Sequence, residues 1–420
     1  KFAYGVGHTT NDLCSAIWFT YVLIFYELAL EFPTLYSGLV MLVGQIADAV
    51  ATPIIGVLCD RGPTFWKINL RKRKIWYLFG SILVLITCPF LYSESYVFEK
   101  YSMIKRFLYY ITIAVLFQIA WACVQIAHLA MAPDITPDDH ERTNLMSLRN
   151  TFTVLSNLFV YFLTFLILKL KSDDDVNNKS AKVSPKDIGK FQLVVIICLS
   201  IGTICTTLFY IFVKENTERL DADSVKSVKR TTFREMFCRV SLYQVILIYS
   251  CSRLFCNVTQ ALIPLYLNIT LLMDKPTIAS LPFVMYSSSF IASLLSAYLN
   301  DSIGRKLTFL IGSLFAFGAS LWIRIDTSNL YKYYFIYIVT ILIGFSSSLL
   351  LVTALAVTND HIGDDINNAA FLYGILSFAD KLSCGIIIMV IQALEKYSGS
   401  MYYRDVLSYL CASSSGIGLL

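Results

Sequence analysis

Long apolar stretches separated by short charged ones run the length of the chain. A helix that crosses the hydrocarbon of a bilayer needs about 20 mostly apolar residues, and the pattern predicts about twelve such helices. In the first half they fall at roughly 8–31, 35–59, 75–93, 106–132, 147–169 and 190–213. In the second half they fall at roughly 240–267, 278–300, 305–325, 333–358, 369–394 and 404–420. Between the halves stands KENTERLDADSVKSVKRTTFREMFCRV, the longest charged connector. The pattern divides the chain into an N-terminal six-helix bundle at 1–213, a linker at 214–239 and a C-terminal six-helix bundle at 240–420 whose last helix is cut short.

Composition sharpens this picture. Of 420 residues, 56% are hydrophobic and only 15% are charged, against about 25% charged in an ordinary soluble domain. Mean hydropathy is +0.64. An all-α polytopic membrane protein is expected, with lipid and a small-molecule substrate as its partners. A net charge of +5 gives no case for nucleic acid, and a monomer is expected. The stretch RGPTFWKINLRKRK after the second helix and the linker are both rich in Lys and Arg, which places them, and both chain ends, in the cytosol. The loop 169–190, also lysine-bearing, then lies outside. It holds a glycosylation sequon at Asn178, and a second sequon at Asn268 falls at the next outer loop.

The 11 cysteines resemble a disulfide framework until they are placed. Nearly all lie inside apolar segments, so small buried hydrophobes are expected rather than bridges. No Cys-x-x-Cys or His-Glu-x-x-His pattern is present, and neither a metal site nor a cofactor is expected. No nucleophile constellation points to an enzyme. The chain opens at Lys1 and closes inside SYLCASSSGIGLL; both ends read as trimmed, and no signal peptide or sorting tail can be read from what remains.

An internal repeat is visible. The second helix ends Gly56-x-x-x-Asp60-Arg61 before a basic cluster, and the eighth ends Ala297-x-x-x-Asp301-x-x-Gly304-Arg305-Lys306. Six spans plus six with a shared turn is a transporter architecture. These turns resemble the loop signature of the major facilitator superfamily. The resemblance implies the twelve-helix fold of two six-helix bundles, with Asp60, Arg61, Asp301, Gly304 and Arg305 gating the cytosolic side.

Polar residues inside the apolar stretches point to a site. Asp48 sits in the middle of LVGQIADAVATPIIG, where a charge costs roughly 2.5–3.5 kcal/mol on insertion scales. Gln45 and Thr52 share its helix face. The fourth helix carries Gln118, Trp121, Gln125 and His128 on one stripe. Asp12 lies near the start of the first helix and Arg149 near the start of the fifth. The seventh carries Arg253, Asn257 and Gln260, and the eleventh carries Tyr373, Ser377, Asp380, Lys381 and Cys384. Buried ions in lipid must pair or face water, so the stripes are expected to turn toward one central cavity, with Asp48 offset by Lys381 or Arg149. His128 reads either as a proton carrier or as a hydrogen-bonded packing histidine. Asp48, His128 and Asp380 are the candidates for proton coupling.

The stretches GVGHTTND, ADAVATPIIG, APDITPDDHERTNLMSLR and YGILSFADK resemble the glycoside–pentoside–hexuronide:cation symporter branch of that superfamily. Two carboxylates of the branch's cation site are replaced here by Thr52 and Gln125, which argues against sodium coupling. Longer stretches, GHTTNDLCSAIWFTYVL, SRLFCNVTQALIPLYL and HIGDDINNAAFLYGILSFADKLSCGIIIMVIQ, resemble the major facilitator superfamily domain-containing protein 12 family. That resemblance implies a lysosomal or melanosomal membrane and cysteine, carried from cytosol to lumen, as the substrate. A cysteine zwitterion would meet cations at Lys381, Arg149 and Arg253 and carboxylates at Asp12 and Asp48. Gln125, Asn257 and Tyr373 add polar contacts, and Trp18, Tyr21 and Trp121 would enclose the thiol.

The expected mechanism is alternating access around a midplane site. Lys381 binds the substrate carboxylate, or pairs with Asp48 when the site is empty. Asp48 and Asp12 take the amine or a coupled proton, and Arg149 helps close the cytosolic side. The alternatives are a sugar:cation symporter of the melibiose-permease type and a non-transporting membrane receptor or scaffold.

Overall fold

The computed structural model describes residues 1–61, 64–65, 68–69, 73–94, 102–131, 135–136, 139–170, 183–213, 240–326, 328–362 and 366–418. The side chains at 60–61, 64–65, 68–69, 139–144, 146–147, 170, 297 and 359–373 lie outside that description. Among the described residues, eleven helices are long and apolar enough to cross a membrane: Phe2–Ala29, Thr34–Cys59, Arg73–Leu91, Met103–Ala130, Leu148–Lys169, Pro185–Phe212, Val240–Thr270, Thr277–Ser302, Arg305–Ile325, Tyr331–Thr358 and Gly374–Glu395. They are numbered spans 1 to 11. A twelfth helix, Tyr402–Ile417, completes the set. Outward faces carry exposed Ile, Leu and Phe such as Ile82, Ile204 and Leu294, as a bilayer-facing surface requires.

Spans 3 and 4 pack together in the first half, and spans 8 and 10 in the second. The halves meet along three helix pairs: spans 2 and 11, 5 and 8, and 1 and 7. Small residues set the closest approaches, as expected where lipid is the competing solvent. A Cβ added at Gly344 of span 10 would lie 2.0 Å from the Met285 carbonyl oxygen of span 8.

The two halves repeat each other in detail. Span 1 ends in a π-helical turn at Phe25–Ala29, and span 7 ends in another at Tyr266–Thr270. Each is followed by a non-glycine residue of positive φ, Glu31 at 54° and Leu272 at 52°. The closing hydrogen bonds correspond: Phe32 N–H to the Tyr26 carbonyl, and Met273 N–H to the Leu267 carbonyl. At the opposite ends, Arg305 opens span 9 and donates to the Ala356 carbonyl in span 10. Arg73 opens span 3 and donates to the Ala130 carbonyl that ends span 4. The Arg73 guanidinium, on the carbonyl that ends its partner helix, satisfies an orphan acceptor and complements the helix dipole. Arg73 thus makes a helix-opening guanidinium-to-carbonyl contact like that of Arg305, a correspondence that the intervening loop hides in the sequence. Gly304 has φ +83° with open space at its Cβ position, so conformation rather than crowding requires glycine there.

Gly344→Ala is expected to lower stability by about 1–3 kcal/mol through overpacking. Gly318→Ala, where nothing lies within 4 Å, serves as the control and should leave the unfolding midpoint in detergent near that of the parent.

Candidate substrate site

Asp48 and Lys381 meet at 2.6 Å, with side chains 3% and 11% exposed. One belongs to span 2 and the other to span 11, so the pair bridges the two bundles. Thr52 donates to Asp48 Oδ1 at 3.1 Å and receives a hydrogen bond from Lys381 Nζ at 3.3 Å. The ammonium also sits 5.6 Å from the centre of the Trp121 ring, a cation–π distance. A lysine ammonium thus stands beside Asp48, where a bound metal cation would otherwise have to balance it.

Arg149, the other cation considered for Asp48, is engaged elsewhere. Its Nη2 lies 3.2 Å from His8 Nε2. His8 Nδ1 lies 2.9 Å from Asp12 Oδ1, and Thr153 donates to Asp12 Oδ2 at 3.0 Å. The tautomer protonated on Nδ1 satisfies both histidine contacts, donating to Asp12 and accepting from Arg149. Asp12 is therefore joined to the charge of Arg149 through His8. This histidine was not among the residues picked from the sequence, although it sits one helical turn before Asp12, the spacing that puts both on one face.

In the second half, Arg253 Nε donates to Asp380 Oδ2 at 2.9 Å, and Asn257 donates to Asp380 Oδ1 at 3.3 Å. Asp380 is 3% exposed, whereas the Arg253 side chain is 30% exposed. Arg253 and Asn257 line a cavity of about 620 Å³ between the bundles. The first half contributes Ser15, Phe19, Asn150, Thr153 and Asn157 to its wall. The second contributes Cys256, Gln260, Tyr286 and serines from spans 8 and 10. The sequence signal for this wall is the pair of triplets Ser287–Ser289 and Ser346–Ser348, which the polar stripes picked from the sequence do not include.

Several expected ligands stand elsewhere. Tyr21 is fully buried beside the rings of Tyr161 and Phe191, inside the N-terminal bundle. Trp18 is 2% exposed and, with Trp121 and Gln118, encloses a separate small void. Trp121 Nε1 donates to the Asn11 carbonyl. His128 is fully buried, stacked on Tyr4, with Nε2 2.9 Å from the Tyr4 carbonyl oxygen; this is the geometry of the packing histidine. Gln125 Oε1 is buried without a described partner. Asn268 is buried, with no exposed surface. Asn178 and the side chains of Asp60, Arg61 and Tyr373 lie outside the described residues. Asp301 is exposed. The ten described cysteines are all free.

The bundles are joined on the side of the membrane opposite the linker. There Gln260 of span 7 donates to Thr20 and Tyr161 at 3.1 and 3.2 Å, and the rings of Tyr161 and Tyr286 approach to 5.0 Å. Beyond them, Lys275 reaches Asp187 at 2.8 Å. The cavity lies on the linker side of this closure, bounded by Asn150, Ser293 and Leu355 toward the linker-side ends of their helices.

A polar cavity between two six-helix bundles, closed at one membrane face, defines a secondary membrane transporter of the major facilitator class. The family described as MFS/sugar transport protein matches residues 3–405. The chain is 31% identical over 440 residues to major facilitator superfamily domain-containing protein 12 of Equus caballus, covering all of this chain and 90% of that protein. The counterpart in Homo sapiens is 30% identical over 441 residues, with the same coverage. The crystal structure of a D-xylose–proton symporter superposes with a TM-score of 0.74 at 11% identity, covering 99% of this chain and 95% of that one. This last likeness is one of fold. The chain belongs to the major facilitator superfamily domain-containing protein 12 family.

Breaking a buried ion pair costs about 3–5 kcal/mol, because one charge is stranded. Lys381→Ala is therefore expected to destabilise the protein more than the double variant Asp48→Asn/Lys381→Ala. A double-mutant cycle by thermal unfolding reads the difference. A membrane-impermeant thiol reagent applied from the linker side should label Cys256 in the cavity wall. Applied from the other side it should not, with Cys256→Ala giving the background.

Proposed function

We propose that this protein is a secondary active transporter that moves cysteine, or a closely related amino acid, from the cytosol into the lumen of lysosomes or melanosomes by alternating access. The observation that carries the reading is Arg253. It is a partly exposed cation in the wall of the interbundle cavity, with Nε held by Asp380 and the remaining donors available to a carboxylate. The cysteine assignment and the organelle follow from the family resemblance.

In this reading Arg253 and Asn257 receive the substrate carboxylate. The Asp12–His8–Arg149 relay, reaching the cavity through Thr153, presents the carboxylate that the ammonium group approaches. Cys256, Phe19 and Tyr286 offer soft and aromatic surface to the thiol. Lys381 holds Asp48 neutralised across the bundle interface rather than binding substrate. The cavity is several times the size of a small amino acid, so close contact on all sides requires the linker side to close over the substrate.

Arg149 and the turn at Asp301, Gly304 and Arg305 lie on the side that then closes. Asp380 and Asp48 are the carboxylates through which proton coupling would act. A second reading, a sugar:cation symporter, is favoured by the hydroxyl and amide lining of the cavity, which suits sugar hydroxyls. The lysine beside Asp48 disfavours it as a sodium-coupled carrier.

Uptake of labelled cysteine into proteoliposomes decides between the readings, with cystine and a galactoside in parallel and with and without sodium. Saturable, sodium-independent cysteine uptake is expected. Arg253→Gln should lower it by at least about tenfold, the scale of one lost charge-assisted hydrogen bond. Galactoside uptake in place of cysteine uptake would establish the second reading.

A further inference from the structure

At the closed face of the membrane one carboxylate is shared by two lysines. Asp187 immediately precedes the helix Ile188–Phe212, and its side chain is 1% exposed. Lys190 Nζ, from the first turn of that helix, reaches Asp187 Oδ1 at 2.8 Å. Lys275 Nζ, from the loop between spans 7 and 8, reaches Asp187 Oδ2 at 2.8 Å. Both lysine side chains are 9% exposed. The Ser184 N–H also donates to Asp187 Oδ2, at 3.1 Å.

Opening of this face treats the two lysines differently. Lys190 and Asp187 are three residues apart in the N-terminal bundle, so they stay together however the bundles move. Lys275 belongs to the C-terminal bundle, so its contact crosses the interface and separates on opening. It stands on a loop beside exposed Asp274, which gives its ammonium a short path to water.

The closed arrangement holds one ammonium more than the carboxylate needs. Among the described residues neither lysine pairs with a second carboxylate. Glu27, on the π-helical turn that packs beside Pro185–Asp187, is engaged by Tyr403 Oη at 3.2 and 3.4 Å. Glu31, Lys186 and Asp274 are exposed. Local helix rules do not account for Lys190 either. An ammonium in the first turn of a helix opposes the dipole, and burying it costs solvation. Lys190 is thus surplus while the face is closed. Once Lys275 has left, it is the one partner that keeps a buried carboxylate from being stranded.

We propose that Asp187 is handed between two lysines: Lys275 ties it across the bundles to hold the far face shut, and Lys190 takes it over alone when that face opens. The two lysines therefore act with opposite sign. Lys275→Met removes the crossing contact and leaves Asp187 paired, so the far face opens more readily. Lys190→Met leaves a complete one-to-one pair when the face is closed and a bare carboxylate when it is open, so the face stays shut. The inference rests on the alternating-access reading but not on which substrate is carried.

The test reads conformation without substrate, through the rate at which an impermeant thiol reagent labels Cys256 from the far side of the protein in proteoliposomes. Exposure is far longer than linker-side labelling needs, so that rare openings are recorded, and Cys256→Ala gives the background. Relative to the parent, Lys275→Met should label several-fold faster and Lys190→Met several-fold slower. Adding Asp187→Asn to Lys190→Met removes the charge that needs the second lysine, and should raise labelling to the parent rate or above. Faster labelling in both lysine variants, the result of a merely structural cluster, overturns the proposal. An unchanged rate in Lys275→Met overturns it as well. If Lys190→Met does not fold, Lys190→Gln is read in the same way. Because no substrate is present, failure of this gate is read separately from failure of the cysteine assignment in the uptake assay.

Discussion

A carboxylate at the middle of a bilayer has to be neutralised by something, and in this protein the neutralising group comes from the other half of the chain. The pair of Asp48 and Lys381, at 2.6 Å across spans 2 and 11, ties the two bundles at mid-membrane. Glycines on the same two spans permit the approach: an added Cβ at Gly385 would touch Leu42, and one at Gly38 would press into Gln392. Because the ammonium is tethered, the charge balance at Asp48 needs no ion from solution. The flexible four-carbon stem of lysine also lets the contact survive a small rotation of one bundle against the other.

Two further groups of buried charges, beside the cavity, are each arranged within a bundle rather than between bundles. Asp12, His8 and Arg149 form one relay in the first half, and Arg253, Asp380 and Asn257 form a group in the second. Each ends at the cavity, through Thr153 in one case and Arg253 in the other. The cavity wall is thus supported from both sides by groups that each belong to a single bundle. The contacts at the closed face, Gln260 with Thr20 and Tyr161 and Lys275 with Asp187, are of a different kind. They cross between bundles and join them at the far face.

Much of this was legible in the sequence because lipid imposes so strict a rule. The apolar stretches located the helices, with ends differing by a few residues, as at span 1, which begins at Phe2 rather than near residue 8. The expense of Asp48 forced the search for a cation, and Lys381 was one of two answers. What the sequence could not rank was direction within a bundle. His128, expected on a polar stripe, and Tyr21 and Trp18, expected around the substrate thiol, are buried in their own bundle, since helical periodicity fixes relative angle and leaves the absolute rotation open. His8 was passed over because its partner Arg149 is distant in the chain. Asn268 matched a sequon whose surroundings are buried. The correspondence of Arg73 with Arg305 was masked by a loop of unequal length.

The cavity wall has a consequence of its own. Its floor and sides carry serines, asparagines and a cysteine, while the costly ions stand behind or beside them. Exchanging one small hydroxyl or amide for another there alters what can be recognised without stranding any charge in lipid. Within such a lineage, substrate preference can drift through cheap single replacements while the ionic framework stays fixed. The scaffold separates what evolution can afford to vary from what it cannot.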